Sequence, residues 1–252
     1  MDNSFLIEEA YNQDAGAVQH IWTGAYGVNR LSGPDDRVWN LSFTQEWPFL
    51  SQTHQLSYTI PWAINDQATT HADGLGDVLL NYRYQLYFDE KTLTAFAPRL
   101  SFILPTGDAE RRLGNDTFGY QVNLPFSTTL GDRWFFHTNS GFTWLPNAGP
   151  GPRKDLLDTM VGASVIYAAT SRLHLMLEWT GTWQDRGPDA AGHDFVALIS
   201  PGVRFAFNLP GDKQIVLGLA APLGMTRAAP EYGIFLYASL EHPFARQPSA
   251  SK

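Results

Sequence analysis

Twelve stretches of this 252-residue chain alternate apolar and polar side chains, and the gaps between them alternate short and long. The pattern is plainest in 172–183. There Leu173, Leu175, Leu177, Trp179 and Trp183 share one parity, and His174, Met176, Glu178, Thr180 and Thr182 the other. Successive side chains of a strand point to opposite faces, so such a stretch builds a sheet with one apolar and one polar surface. Short gaps fall at 48–54, 89–91, 131–132, 170–172 and 209–212, and longer ones at 28–37, 63–75, 107–116, 146–154, 184–192 and 224–230. Tight turns at one end and long loops at the other are the connectivity of an antiparallel up-and-down transmembrane β-barrel.

The expected strands are 18–26, 38–47, 55–62, 77–88, 92–105, 118–130, 133–145, 156–169, 172–183, 194–208, 214–222 and 232–244. Most approach the roughly 9–11 residues that a tilted strand needs to cross a bilayer. A closed barrel leaves no unpaired edge in lipid, and an even count returns both chain ends to one side. The expected division is an extension over 1–17, a transmembrane barrel over 18–244 and a flexible tail over 245–252. Parity assigns Leu56, Tyr58, Ile60 and Trp62, Leu80 and Tyr82, Leu100 and Phe102, and Ile234 and Leu236 to the outer face. It turns Arg83, Arg99, Gln121, Asn123, His137, Asn139, Arg204 and Glu241 inward.

Composition agrees with a wet interior rather than a solvated exterior. Charged residues are 17% of the chain, against about 25% in soluble proteins. The four lysines, Lys91, Lys154, Lys213 and Lys252, fall in expected turns, loops or the tail. A net charge of −8 argues against a nucleic-acid partner. The absence of cysteine excludes disulfides, thiolate metal sites and a cysteine nucleophile. No apolar run reaches the length of a membrane helix. The mean hydropathy of −0.21 also suits a membrane barrel, in which half of each strand faces inward. Met1 to Ser4 has neither the basic start nor the apolar core of a signal peptide, so a mature exported form is expected.

Aromatic residues gather at strand ends. Trp47, Phe49, Phe88, Trp134, Tyr167, Phe207 and Phe244 lie by the short turns, and Trp22, Trp39, Trp62, Trp144, Trp183 and Tyr232 towards the long loops. Two interfacial girdles are the expected reading. Pro98, Pro125, Pro201 and Pro222 fall within strands, where each should mark a bulge or a break in pairing.

Several stretches carry a family resemblance. They are Ile7-Glu8-Glu9-Ala10-Tyr11-Asn12-Gln13 with Val18-Gln19-His20, Gly74-Leu75-Gly76-Asp77 with Tyr82-Arg83-Tyr84, Pro98-Arg99-Leu100 with Leu104-Pro105-Thr106-Gly107-Asp108, and the closing Glu241-His242-Pro243-Phe244. Together they resemble the bacterial outer-membrane channels labelled as the "meta-pathway of phenol degradation" transporter family, over 7–244. The resemblance implies a small outer-membrane barrel passing small molecules, hydrophobic or aromatic compounds among them. Outer-membrane barrels usually end on an aromatic residue, whereas here Phe244 is followed by 245–252.

Arg83, Arg99 and Arg204 would either line a constriction favouring anions or pair with Glu46, Glu178 or Glu241 and fill the barrel. His137, Asn139, His174, Glu178 and Glu241 complete the expected pore lining. Glu8, Glu9 and Tyr11 mark the N-terminal segment either as a plug meeting those arginines or as a disordered lead. His20, His137, His174 and Glu178 are too dispersed for a metal site, since four residues along a strand span about 13 Å. Ser140 and His137 have opposite parities, and no hydrolase motif is present. Asp35, Asp36, Asp185, Asp189 and Asp194 read as solvated loop acids or as sites for calcium or lipopolysaccharide counter-ions.

A passive outer-membrane channel is the expectation, with no catalytic residue, metal or cofactor. Apolar Phe135, Leu198 and Phe235 would contribute to selectivity. Alternatives are a barrel lipid hydrolase, a non-conducting ligand-binding barrel and a soluble β-sandwich. The expected partners are outer-membrane lipid, lipopolysaccharide and a small-molecule substrate, with the protein a monomer.

Overall fold

A computed structural model describes residues 4–29, 36–67, 70–151, 153–186 and 192–244. Twelve antiparallel strands close into a barrel. Eight are continuous: β1 Ala17–Asn29, β2 Asp36–Phe49, β3 Ser51–Gln67, β7 Trp134–Ala148, β8 Lys154–Ala168, β9 Leu173–Asp185, β10 His193–Leu209 and β12 Tyr232–Pro243. The other four are interrupted. β4 comprises Thr70–Leu75, Val78–Tyr84 and Tyr87–Asp89, and β5 comprises Thr94–Phe96 and Arg99–Leu104. β6 comprises Gly119–Asn123 and Phe126–Leu130, and β11 comprises Lys213–Ala220 and Leu223–Gly224. Each strand pairs with its sequence neighbours, and β1 closes the wall against β12 from Ala17↔Pro243 to Val28↔Tyr232.

The alternation of the sequence becomes a two-faced wall. Outside stand Leu41, Ile60, Leu80, Leu100, Phe102, Leu175, Leu177, Leu217, Leu219 and Leu236, all exposed, as a wall in contact with lipid requires. Inside run rows of buried polar side chains. One row follows the strand pairing from Ser127 through His137, Ser164 and Glu178 to Ser200, all at 0% exposure. Ring pairs mark both rims: Trp134 with Tyr167 at 4.8 Å near the short turns, and Trp183 with Phe195 at 4.7 Å and Tyr26 with Trp39 at 4.8 Å near the long loops. Trp22 differs from expectation. β1 runs on to Asn29, which leaves Trp22 near mid-strand with its ring 5.4 Å from that of Phe43.

Tight turns use left-handed residues, with Leu50 at φ 63°, Gly131 at 73° and Gly211 at 78°. These turns lie on the periplasmic side by the rule that places short turns there. The expected loop over 63–75 is largely strand. β3 and β4 pair out to Gln67↔Thr70, because the polar residues of this hairpin stand at the rim, where alternation fades but the backbone still needs partners.

Three of the four strand prolines interrupt pairing. Pro98 and Pro125 break β5 and β6 at one level, where the Pro98 carbonyl accepts from Tyr84 N–H and the Pro125 carbonyl from Ala97 N–H. Pro222 divides β11. Pro201 remains inside β10, and its carbonyl accepts from Ala221 N–H at 3.0 Å.

Candidate functional site

Residues 4–16 precede the first strand and lie inside the barrel. Running back from β1, the segment passes the periplasmic turns. Asn12 Nδ2 donates to the Gln52 and Thr53 carbonyls, and the Tyr11 hydroxyl donates to the Leu93 carbonyl at 2.6 Å. Gln13 N–H donates to Gln55 Oε1 at 2.8 Å, while Gln13 Nε2 donates to Gln19. Further in, Ala10 N–H donates to Ser127 Oγ, which also bonds His137 Nδ1 at 2.7 Å. The Tyr11 ring meets His137 edge-on, and Ala10 and Tyr11 pack against Ala95 and Ala97.

At mid-barrel the acids meet the arginines. Arg99 Nε lies 2.9 Å from both Glu8 carboxylate oxygens, and Asn123 Nδ2 donates to Glu8 Oε2 at 2.8 Å. The remaining Arg99 donors reach Asn81 Oδ1 at 2.9 Å, Gln121 Oε1 at 3.0 Å and Ser101 Oγ. A guanidinium forks across three neighbouring strands, β4 to β6, and the N-terminal segment in a way that a lysine ammonium cannot reproduce. Arg83 Nη1 donates to the Glu9 carbonyl at 2.7 Å and lies 3.5 Å from Glu8, while Nη2 lies 3.7 Å from Glu46.

Beyond Glu8 the chain crosses to the opposite wall. The amides of Phe5, Leu6 and Ile7 all donate to Glu178 Oε1, at 3.0, 2.9 and 3.1 Å. Three N–H dipoles thus stand where a counter-charge would be needed. Glycines make room for the side chains. A Cβ on Gly218 would lie 2.2 Å from Phe5 Cζ, and one on Gly162 2.3 Å from Ile7 Cδ1. Phe5 also stacks on Phe235, with ring centroids 5.5 Å apart.

The structure sorts the residues expected in the lumen into groups. Arg83, Arg99, Glu8, Glu9 and Tyr11 converge on the N-terminal segment, as do Glu178 and His137. Asn139 borders a mid-barrel cavity beside Arg99. Arg204 donates to His174 Nδ1 from Nε at 3.1 Å and lines a lower cavity with Glu9, Asp14 and Glu241. Of the three acids expected to pair with arginine, Glu46 does so through Arg83, whereas Glu178 takes backbone amides. Ser127, Gln55, Phe5 and the facing glycines were missed. Parity alone exposes Ser127 and Gln55, but nothing local marks the glycines.

Near the long loops a cavity of about 540 Å³ is lined by Leu79, Ile103, Leu113 and Leu145 together with Asp77 and Asn115. A second of about 170 Å³ lies below it around Gln121 and Thr143. A third, about 280 Å³, adjoins Glu8, Arg83 and Arg99, and a fourth, about 120 Å³, opens among Asp14, Gln19, Gln214 and Glu241 by the periplasmic turns. Asp35, Asp189 and 245–252 lie outside the described residues, as does the side chain of Asp36. Asp185 pairs with Lys154 at 2.6 Å and Asp194 with Arg186 at 2.8 Å. Among the described residues no three metal-ligating side chains converge.

Among solved structures, an outer membrane channel from Pseudomonas putida F1 superposes with a TM-score of 0.68 at 13% identity, covering 92% of this chain and 97% of that one. The translocator domain of the autotransporter NalP from Neisseria meningitidis gives 0.56 at 10%, covering 92% and 90%. The β domain of the Bordetella autotransporter BrkA gives 0.50 at 14%, covering 92% and 100%. These likenesses are of fold, and the fold is that of outer-membrane barrels. No curated protein matches the sequence. The family model described as "Putative MetA-pathway of phenol degradation" matches residues 7–148, a span that takes in Glu8, Glu9 and Tyr11 of the N-terminal segment together with Arg83 and Arg99. With more than half its length matched, the chain belongs to that family.

Proposed function

We propose that this protein is a passive outer-membrane channel for small molecules, hydrophobic or aromatic compounds among them, and that residues 4–16 plug its lumen. One observation carries the reading: cavities lie on both sides of the N-terminal segment, from the extracellular loops to the periplasmic turns. Twelve strands fall between filled eight-stranded barrels and the wide sixteen-stranded porins, so an internal segment can close the bore. The apolar wall of the upper cavity, from Leu79, Ile103, Leu113 and Leu145, supports an apolar cargo, as the family description does. Hydrolysis is not part of the reading. The Ser127 hydroxyl is fully buried and engaged by Ala10 N–H and His137.

Planar-bilayer recording of the full chain beside a form lacking residues 2–14 tests this. Deletion is expected to raise the single-channel conductance severalfold. Equal conductance would remove the plug, and silence from both folded barrels would remove the channel in favour of a non-conducting barrel.

A further inference from the structure

The first and last strands close the barrel in an antiparallel seam, and two stretches singled out in the sequence meet across it, Val18-Gln19-His20 and Glu241-His242-Pro243-Phe244. Gln19 stands opposite Glu241 and turns inward to Gln13, so the neighbouring His20 and His242 stand on the outer face. This is the periplasmic end of the seam, where Phe244 N–H donates to the Gly16 carbonyl. The two Nε2 atoms lie 3.2 Å apart, and both side chains are half-buried. The His20 ring also lies against those of Trp22 and Phe43. His242 Nδ1 is 3.1 Å from the Pro243 carbonyl, which can only accept, so in the neutral ring Nδ1 carries the proton and Nε2 a lone pair. The proton between the two rings therefore belongs to His20 Nε2.

We infer that His20 and His242 bind one divalent transition-metal ion, of the zinc and copper class, through their Nε2 atoms. Imidazole nitrogen binds such ions at about 2.0–2.1 Å, so two nitrogens 3.2 Å apart subtend about 100° at a shared ion, between the square-planar and tetrahedral angles. On binding, His20 exchanges its Nε2 proton for one on Nδ1 and the ion takes its place between the rings. Both imidazoles stay neutral. His242 already has the tautomer of a ligand, fixed by the carbonyl bond that metal-bound histidines ordinarily make. Among the described residues no third ligating side chain converges there, so water and lipid phosphate complete the coordination. Magnesium and calcium, which take oxygen ligands, do not fit the pair. The ion ties strands that are 222 residues apart in the chain at the point where the barrel closes, whether or not the barrel conducts.

Copper(II) added to the full chain in detergent, free of any histidine tag, tests this. The chain has no cysteine, so no thiolate competes. One equivalent should bind with a paramagnetic resonance spectrum split by two nitrogens, and zinc should displace it while magnesium does not. His20→Ala and His242→Ala should each weaken binding at least about tenfold, the loss that even an outer partner of a metal ligand causes. His71→Ala, which removes the histidine beside Asp66 and Asp73 at the other end of the barrel, should leave it unchanged. Zinc should also raise the temperature at which the heat-modifiable folded band is lost, in the wild type and in neither seam variant, because an ion held only by the folded seam stabilises it. Either seam variant suffices if the other fails to fold. Binding that persists in a folded seam variant, or a spectrum of one nitrogen, places the copper elsewhere and overturns the site. Absence of binding also overturns it and leaves the two histidines as a hydrogen-bonded pair within the aromatic girdle.

Discussion

A fully buried carboxylate is costly unless dipoles take the place of water. Glu178 resolves this with three consecutive amides on one oxygen, which ties the N-terminal segment to β9 more firmly than any side-chain pair on that wall. Glu178→Ala leaves those N–H groups without an acceptor, at about 1–3 kcal/mol each. Residues 4–7 should then leave their site while the barrel stays closed. Single-channel conductance should rise, and Glu178→Gln, which keeps one acceptor oxygen, should change it less. Unaltered conductance in the alanine variant would mean that Glu8 with Arg99 suffices to hold the segment. The glycines facing Phe5 and Ile7 belong to the same design, since any side chain at Gly218 would occupy the volume of the Phe5 ring.

The extracellular end is built from two elements that the sequence presents as separate motifs. Asp77, at the break in β4, accepts from Gly107 N–H through Oδ1, and from Asn115 N–H and Nδ2 through Oδ2, each at 2.9 Å. Thr106 donates to the Gly76 carbonyl and accepts from Val78 N–H. The loop between β5 and β6 is thereby folded over the upper cavity, with Leu113 buried beneath it. Asp77→Ala removes all three acceptor contacts, and trypsin should then cut after Arg111 or Arg112 at a rate at least tenfold higher, the consequence of losing about 1.4 kcal/mol or more of local order. Wild-type cleavage kinetics would show that the loop is held by other means.

These elements also mark how far the sequence could be read. Alternation along 172–183 gives β9 and its two faces, because period two is a property of one strand. The Gly-Leu-Gly-Asp and Leu-Pro-Thr-Gly-Asp stretches stand out as motifs, yet their joint role depends on a contact about thirty residues apart. Gly162, Gly202 and Gly218 look like ordinary strand glycines, and their meaning lies wholly in what faces them across the lumen.

Considered as one body, the protein places a polar interior that holds the N-terminal segment within an apolar sleeve, and the two faces should answer differently to the same added charge. Leu177, near the middle of β9, is exposed on the outer face, while Thr182 on the same strand borders the cavity around Gln121 and Thr143. Leu177→Arg puts a guanidinium in hydrocarbon, which costs about 2–4 kcal/mol near the bilayer midplane. Thr182→Arg puts it against water and Asp158, where the cost should stay below about 1 kcal/mol, as for exposed charge pairs. Guanidinium-driven unfolding from lipid vesicles separates the two, since the midpoint should fall for Leu177→Arg and hold for Thr182→Arg. Equal losses would mean that the wall is not two-faced at this depth, and the sleeve of leucines would then need another explanation than lipid.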